Sequence, residues 1–192
     1  NKIEYRKGVY KNEFVREQET AKASNFVSFI GTCKYDLKNS ILQDMTCQIM
    51  DLVYTEKVRE DEGGTYGVQT SAQISSFPEG RTVLQTYFDT DPAKRAQMNS
   101  IVHNELKRIA ETGPRPEDFN KTKENLLKKH AEALQENSYW LNTIDTYYFK
   151  KRDDHSTYDA TLNAITPASI QNLAKSLLKQ GNTVEVVMEP SH

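Results

Sequence analysis

The apolar pattern of the chain predicts an α+β fold, an antiparallel β-sheet with helices packed on one side. Three observations carry that prediction. Two alternating segments, about 65–76 and 81–90, flank Phe77-Pro78-Glu79-Gly80, and turn residues between such segments read as a hairpin. Apolar residues recur at helical spacing through 37–59 and again through most of 93–178. Segments with strand composition stand before and after these helices, at 25–32 and 183–188. Sheet segments and helical segments of this kind pack as layers around one core.

The elements follow in order. Residues 1–24 are polar, with weak apolar alternation at Val9, Phe14 and Val15, and read as a lead-in with one edge strand. Asn25 to Thr32 is aromatic and β-branched, and contains a closing glycine, Gly31. In 37–59, Ile41, Leu42, Met45, Ile49, Leu52 and Val53 form one stripe, while Cys47, Met50, Tyr54 and Val58 form a second. A helix apolar over so much of its circumference is covered on more than one face. Asp91 caps the next helix with Pro92 at its first position, Met98, Ile101, Val102, Leu106 and Ile109 line it, and Gly113 ends it. A long helix from Pro116 carries Phe119, Leu126, Leu127, Ala131 and Leu134 and breaks near Asn137-Ser138. Leu141, Ile144, Tyr147 and Tyr148 continue as a second helix, and the Tyr139-Trp140 and Tyr147-Tyr148-Phe149 groups read as core, because aromatic rings bury large apolar area. A short helix near 156–164 precedes one opened by Thr166 and Pro167, with Ile170, Leu173, Leu177 and Leu178 inward. Gly181 then releases the last strand, Thr183 to Met188.

A chain of 192 residues suits one large domain, and residues 1–192 are expected to form one. With 36% hydrophobic and 27% charged residues it has the composition of a water-soluble protein, and no apolar run approaches the roughly 20 residues that span a bilayer. Cytoplasm and periplasm both remain open. A net charge of -2 argues against nucleic acid as a partner, since phosphate-backbone binding needs concentrated Lys and Arg. The first residue is Asn1, so the expectation is a piece excised from a longer chain. Two cysteines, Cys33 and Cys47, are too few for a disulfide framework or a thiolate zinc site.

The most informative stretch is Val58-Arg59-Glu60-Asp61-Glu62-Gly63-Gly64-Thr65-Tyr66-Gly67-Val68. A basic side chain closes the helix, a glycine pair breaks it, and a tyrosine opens the following strand. Each has a structural explanation: Arg59 meets the negative end of the helix dipole, Gly63 and Gly64 stop the helix, and Tyr66 suits a strand. Each also has a chemical one. Arg59 offers a permanently charged fork of donors, and Tyr66 a phenol that stays protonated at neutral pH. Seven positions apart across a sharp turn, the two can reach one backbone carbonyl of a bound peptide.

This segment resembles the second-type domain of the pitrilysin/insulysin (M16) zinc peptidases, in which a helix ends in an arginine and a tyrosine follows seven positions later. The likeness extends to Gly113-Pro114-Arg115-Pro116-Glu117-Asp118-Phe119 between two helices, to Ile165-Thr166-Pro167-Ala168-Ser169-Ile170, and to the closing Val184-Glu185-Val186-Val187-Met188-Glu189-Pro190. It implies a C-terminal domain of the LuxS/MPP-like metallohydrolase type. It also implies a division of labour, in which a zinc-binding domain on the same chain or a partner subunit faces this one, with a peptide substrate between them. On that analogy Tyr66 hydrogen-bonds the substrate carbonyl as it becomes an oxyanion, Arg59 grips a neighbouring carbonyl, and Gly63 and Gly64 let the substrate approach closely. The alternative within the same family is a non-catalytic scaffold or peptide-binding subunit.

No cofactor is expected in this chain itself; zinc belongs to the half that is absent from it. The inverted zincin motif His-x-x-Glu-His does not occur, and no two of His103, His130, His155 and His192 lie at ligand spacing. These histidines read as surface or packing residues. Glu62-Gly63-Gly64-Thr65 lacks the lysine and spacing of a phosphate loop, and the lysines from Lys121 to Lys129 are offset by Glu124 and Glu132 as a solvated face.

Overall fold

The computed structural model describes residues 7–60 and 65–191, without the side chains of residues 58–60, 65 and 66. In chain order the elements are β1 (Val9–Arg16), β2 (Ala23–Thr32), α1 (Leu37–Glu60), β3 (Thr65–Ser75), β4 (Arg81–Thr90), a 3-10 turn (Pro92–Lys94), α2 (Arg95–Thr112), α3 (Pro116–Ala133), α4 (Asn137–Lys150), α5 (Tyr158–Ala164), α6 (Pro167–Gln180) and β5 (Asn182–Pro190). The strands form one sheet in the order β1-β5-β2-β4-β3. Pairs β3–β4, β4–β2 and β2–β5 are antiparallel, as expected, while the outer pair β1–β5 is parallel. Parallel pairing needs a long crossover, and here the whole of β2 through α6 supplies it.

Alternation sorts the sheet into two faces. Leu84 and Phe88 of β4 and Val27 and Phe29 of β2 are buried toward the helices, whereas Gln85, Tyr87 and Asp89 point to the other face. On the helical face α1 is central. It touches α2, α3, α5, α6, β3 and β4, and Met45, Ile49, Met50, Val53 and Tyr54 are all essentially inaccessible to solvent. Both of its stripes are thus largely covered, with Leu52 and Cys47 half-buried and Val58 outside the described side chains. Burial requires the Tyr54 phenol to find a partner, and its hydroxyl donates to the Val102 carbonyl of α2 at 2.9 Å.

Helix ends follow the sequence closely. Asp91 accepts from the Ala93 amide at 2.8 Å, but it caps the 3-10 turn that leads into α2. Thr166 and Ser169 form a reciprocal capping box on α6, which Gly181 closes in the left-handed conformation.

Two expectations about burial are overturned. Ala131 and Leu134 of the long helical stretch are exposed, and the buried stripe of α3 continues instead through Thr122, Leu126 and His130. The aromatic residues of α4 are not core: no residue of that helix is buried, and Trp140, Tyr148 and Phe149 are 42%, 65% and 82% exposed. The space against the sheet is already filled by α1, α2 and α6, so α4 lies outside it. Only Tyr139 turns inward, its hydroxyl between His130 (3.1 Å) and His155 (2.8 Å).

The final part of α1 is tethered to α3 by one arginine. Arg115, at the N-cap of α3, donates from both terminal nitrogens to the Glu56 carboxylate at 2.9 and 2.5 Å and from Nε to Asp118 at 2.6 Å. Such bidentate pairing fixes orientation as well as distance. The hydrogen bonds from Arg115 hold the Glu56 carboxyl below the usual carboxylate range.

Two outcomes follow from these contacts. Leu106→Ala removes a fully buried side chain and should cost about 2–5 kcal/mol, while Leu141→Ala on exposed α4 should stay within about 0.5 kcal/mol, both read by urea unfolding. Equal losses would contradict the placement of α4. Arg115→Gln should lower the urea midpoint at neutral pH. Because the folded-state pKa of Glu56 is depressed, its contribution is present above the unfolded pKa and lost as pH falls through the folded one. The gap between Arg115→Gln and the parent should therefore narrow from neutral pH to about pH 3; a constant gap would show that the tether is not ionic.

Candidate functional site

The residues around the α1–β3 connection are set by the ends of two regular elements. Helix α1 runs through Glu60, so the backbone of Arg59 lies in its last turn, one turn beyond Glu56 and its tether to Arg115. Strand β3 resumes at Thr65. Thr65 pairs with Thr90 and Gly67 with the next residue, Asp89, so Tyr66 is the extra residue of a β-bulge. A bulge kinks its strand and re-aims a side chain. Gly67 adopts φ 145°, outside the range comfortable for other residues, although a Cβ there would meet open space. Conformation, not crowding, calls for glycine at this position.

Arg59 and Tyr66 thus have backbones on the two arms of one connection. Their side chains, and Gly63 and Gly64 entirely, lie outside the described residues. The bulge itself left only a faint trace in the sequence, the glycine directly after the tyrosine.

Beside the bulge opens a shallow pocket of about 240 Å³ lined by Gly67, Val68, Gln69, Tyr87 and Asp89. Its charged group is fully engaged. Asp89 accepts from Lys22 Nζ at 2.6 Å, Ser24 Oγ at 2.6 Å and the Tyr87 hydroxyl at 2.8 Å. Partial burial pushes this carboxyl up, and the three donors outweigh it, so Asp89 sits below the ordinary range. Sequence reasoning missed this network, since cross-strand neighbours 67 and 65 residues apart leave no local signal.

Metal ligation finds no support among the described residues, where no three His, Cys, Asp or Glu side chains cluster as a cation site. The described histidines are engaged elsewhere. His103 Nε2 meets Glu185 at 3.1 Å, and His130 Nδ1 lies 2.9 Å from Asp159 with its other nitrogen on Tyr139. Both cysteines are free thiols. Burial pushes Cys47 up to about 12, and Cys33 is also raised, chiefly by burial, so neither offers a ready thiolate. These residues do not fit a catalytic zinc.

Similarity to known proteins agrees with this geometry. Residues 4–126 match the family described as the peptidase M16 inactive domain. A zinc protease PQQL-like protein of Arabidopsis thaliana is 24% identical over 102 residues, covering 50% of this chain and 11% of that protein. The periplasmic protease PqqL of Escherichia coli superposes with a TM-score of 0.80 at 14% identity, over 94% of this chain and 21% of its own. A peptidase M16 inactive domain from Pseudomonas fluorescens gives 0.78 at 14% identity, over 97% and 44%. The chain therefore spans less than half the length of these relatives. Over most of its length and in its fold, the chain belongs to the M16 peptidase family, as a domain of the inactive type.

Proposed function

We propose that residues 1–192 act as one substrate-clamping domain of a zinc-dependent metalloendopeptidase, with the metal held by another M16 domain on the same polypeptide or on a partner subunit. The observation that carries this reading is the α1–β3 connection. An arginine whose backbone lies in the last turn of a deeply packed helix and a tyrosine at a strand bulge stand on the two arms of one connection, in a chain of the M16 inactive-domain family. The relatives named as proteases make a peptide the natural ligand.

In this proposal the Tyr66 phenol donates a hydrogen bond to the scissile carbonyl oxygen, an interaction that strengthens as negative charge develops there. Arg59 donates its planar fork to a neighbouring backbone carbonyl and fixes the register of the peptide. Gly63 and Gly64 leave the peptide room beside the connection. Activation of the attacking water belongs to the metal-bearing half.

A second reading keeps the fold and drops the catalysis: a peptide-binding or scaffolding M16 subunit. The engaged histidines and raised thiols are compatible with either role. A His-x-x-Glu-His motif encoded upstream of Asn1 favours the first reading, and its absence from both the same gene and any partner favours the second.

Two measurements test the clamp. Tyr66→Phe in the full-length enzyme keeps the ring and should leave the melting temperature nearly unchanged while lowering kcat by about 10²-fold or more. Arg59→Lys keeps the charge but loses the fork, and should raise KM more than it lowers kcat. Near-normal turnover in a stable Tyr66→Phe enzyme would reduce this domain to a chamber wall. The chain by itself should neither cleave peptides nor retain stoichiometric zinc after dialysis, as measured by metal analysis; chelator-sensitive peptidase activity of the chain alone would overturn the division of labour.

A further inference from the structure

Helix α4 is assembled with its polar side inward. Its half-buried residues are Tyr139, Thr143 and Thr146, which share one side of the helix. Polar contacts at both ends hold it in that orientation. At the start, the Tyr139 hydroxyl lies between His130 and His155, and the Trp140 indole donates to the Leu134 carbonyl at 2.9 Å. At the end, Lys150 Nζ donates to the Tyr35 hydroxyl at 3.2 Å, and the Arg152 guanidinium lies 4.7 Å from the centre of the Tyr35 ring.

The outward side is apolar. Successive helical residues turn by about 100°, so Trp140, Leu141, Tyr147 and Tyr148 all fall within about 60° of Ile144. Leu141, Ile144, Tyr147 and Tyr148 are each more than half exposed, and Trp140 slightly less. At roughly 200 Å² for a large side chain, these residues offer on the order of 600 Å² of exposed surface. That stands at the top of the roughly 300–600 Å² found for the largest apolar patch of a monomer. It approaches the roughly 800 Å² that each partner gives to a standard interface.

The stripe is also complementary to itself. Trp140 and Leu141 stand one turn before Ile144, and Tyr147 and Tyr148 one turn after it. The two ends carry opposite charge. Glu136 precedes the first turn and Lys151 follows the last; both are exposed, and neither has an ion-pair partner among the described residues. The charges beyond Lys151 are already engaged, Arg152 with Asp154 and Asp153 with Ser156. A two-fold axis at Ile144 sets two such helices antiparallel. Trp140 and Leu141 then meet Tyr147 and Tyr148 of the second copy, Ile144 meets its own counterpart, and Glu136 lies beside Lys151 at both ends. Asp145, exposed next to the axis, is the one charge that such pairing brings toward its like. With that repulsion and an area at the low end of specific interfaces, the association is weak, and dilute chain is monomeric.

We propose that the outward stripe of α4 is a docking surface for a second copy of this chain, paired antiparallel about Ile144. The surface neither uses nor rests on the Arg59–Tyr66 clamp.

Sedimentation velocity on the chain tests the surface. Raising the concentration from low to high micromolar should convert monomer to dimer and to nothing larger, because a two-fold contact closes on itself. Ile144→Lys sets like charges on the axis and should keep the chain monomeric, with the melting temperature of dilute chain unchanged because the residue is exposed. Leu141→Glu, on the same stripe but off the axis, repeats that test if the lysine disturbs α4. Glu136→Lys and Lys151→Glu should each weaken the dimer about five-fold, since each places two like-charged contacts in it. An equimolar mixture of these two variants should recover the parent's association, each copy supplying the charge that the other lost. Phe77→Ser removes an equally exposed ring from the β3–β4 turn and should leave the dimer unchanged. A chain still monomeric at high micromolar would hand the stripe to a different occupant and overturn the proposal. So would a dimer that survives both Ile144→Lys and Leu141→Glu, or a mixture no tighter than its components. None of these results bears on the clamp.

Discussion

The burial of α1 on nearly every side is the constraint on which the rest of the structure depends. A 24-residue helix with Met45, Ile49, Met50 and Tyr54 all inaccessible cannot slide or rotate without opening voids on several faces at once. Its polar buried groups reinforce that register. Gln43 donates to the Val83 carbonyl of β4 at 2.9 Å, and the Tyr54 hydroxyl reaches α2, its ionisation suppressed by full burial. Strands, flanking helices and the Arg115 tether are all positioned against this rod.

Much of this was legible because it is local. Period-3.6 stripes marked α1, α2 and α6, and Thr166, Pro167 and Gly181 bracketed α6 within a residue. The hairpin emerged from its turn residues, with the Phe77-Pro78 peptide cis in the structure. What was not legible is relational. Side-chain chemistry tells how much area Trp140, Tyr148 and Phe149 have to bury, not whether any surface remains against which to bury it. The parallel partnership of β1 with β5 joins residues over 170 positions apart, and Arg115 finds Glu56 across 59. Alternation cannot report such partners. Nor can it report a bulge, which is defined by the opposite strand.

The candidate site shows the same division. Arginine, glycines and tyrosine announced themselves as a compact string of residue types, and the family match supports reading them together. Their surroundings did not. The Lys22–Ser24–Tyr87–Asp89 network beside the bulge is assembled from β4, β2 and the residue just before β2, and keeps a carboxylate saturated with donors at the shallow pocket. The pocket beside the bulge thus presents a shallow polar wall whose charge is already compensated.

Strand β3 lies at the margin of the sheet, where a row of unsatisfied amides ordinarily invites another strand. Asp51 reaches from α1 to the outward amide of Thr70 and occupies it from within the same molecule. A strand added along this margin would have to evict a carboxylate at the midpoint of its ladder or stop short of it. The margin is therefore divided into two short stretches, one beginning at the Tyr66 bulge and one running toward Ser75. Along this one margin a neighbour's exposed strand therefore meets two short templates rather than one continuous one.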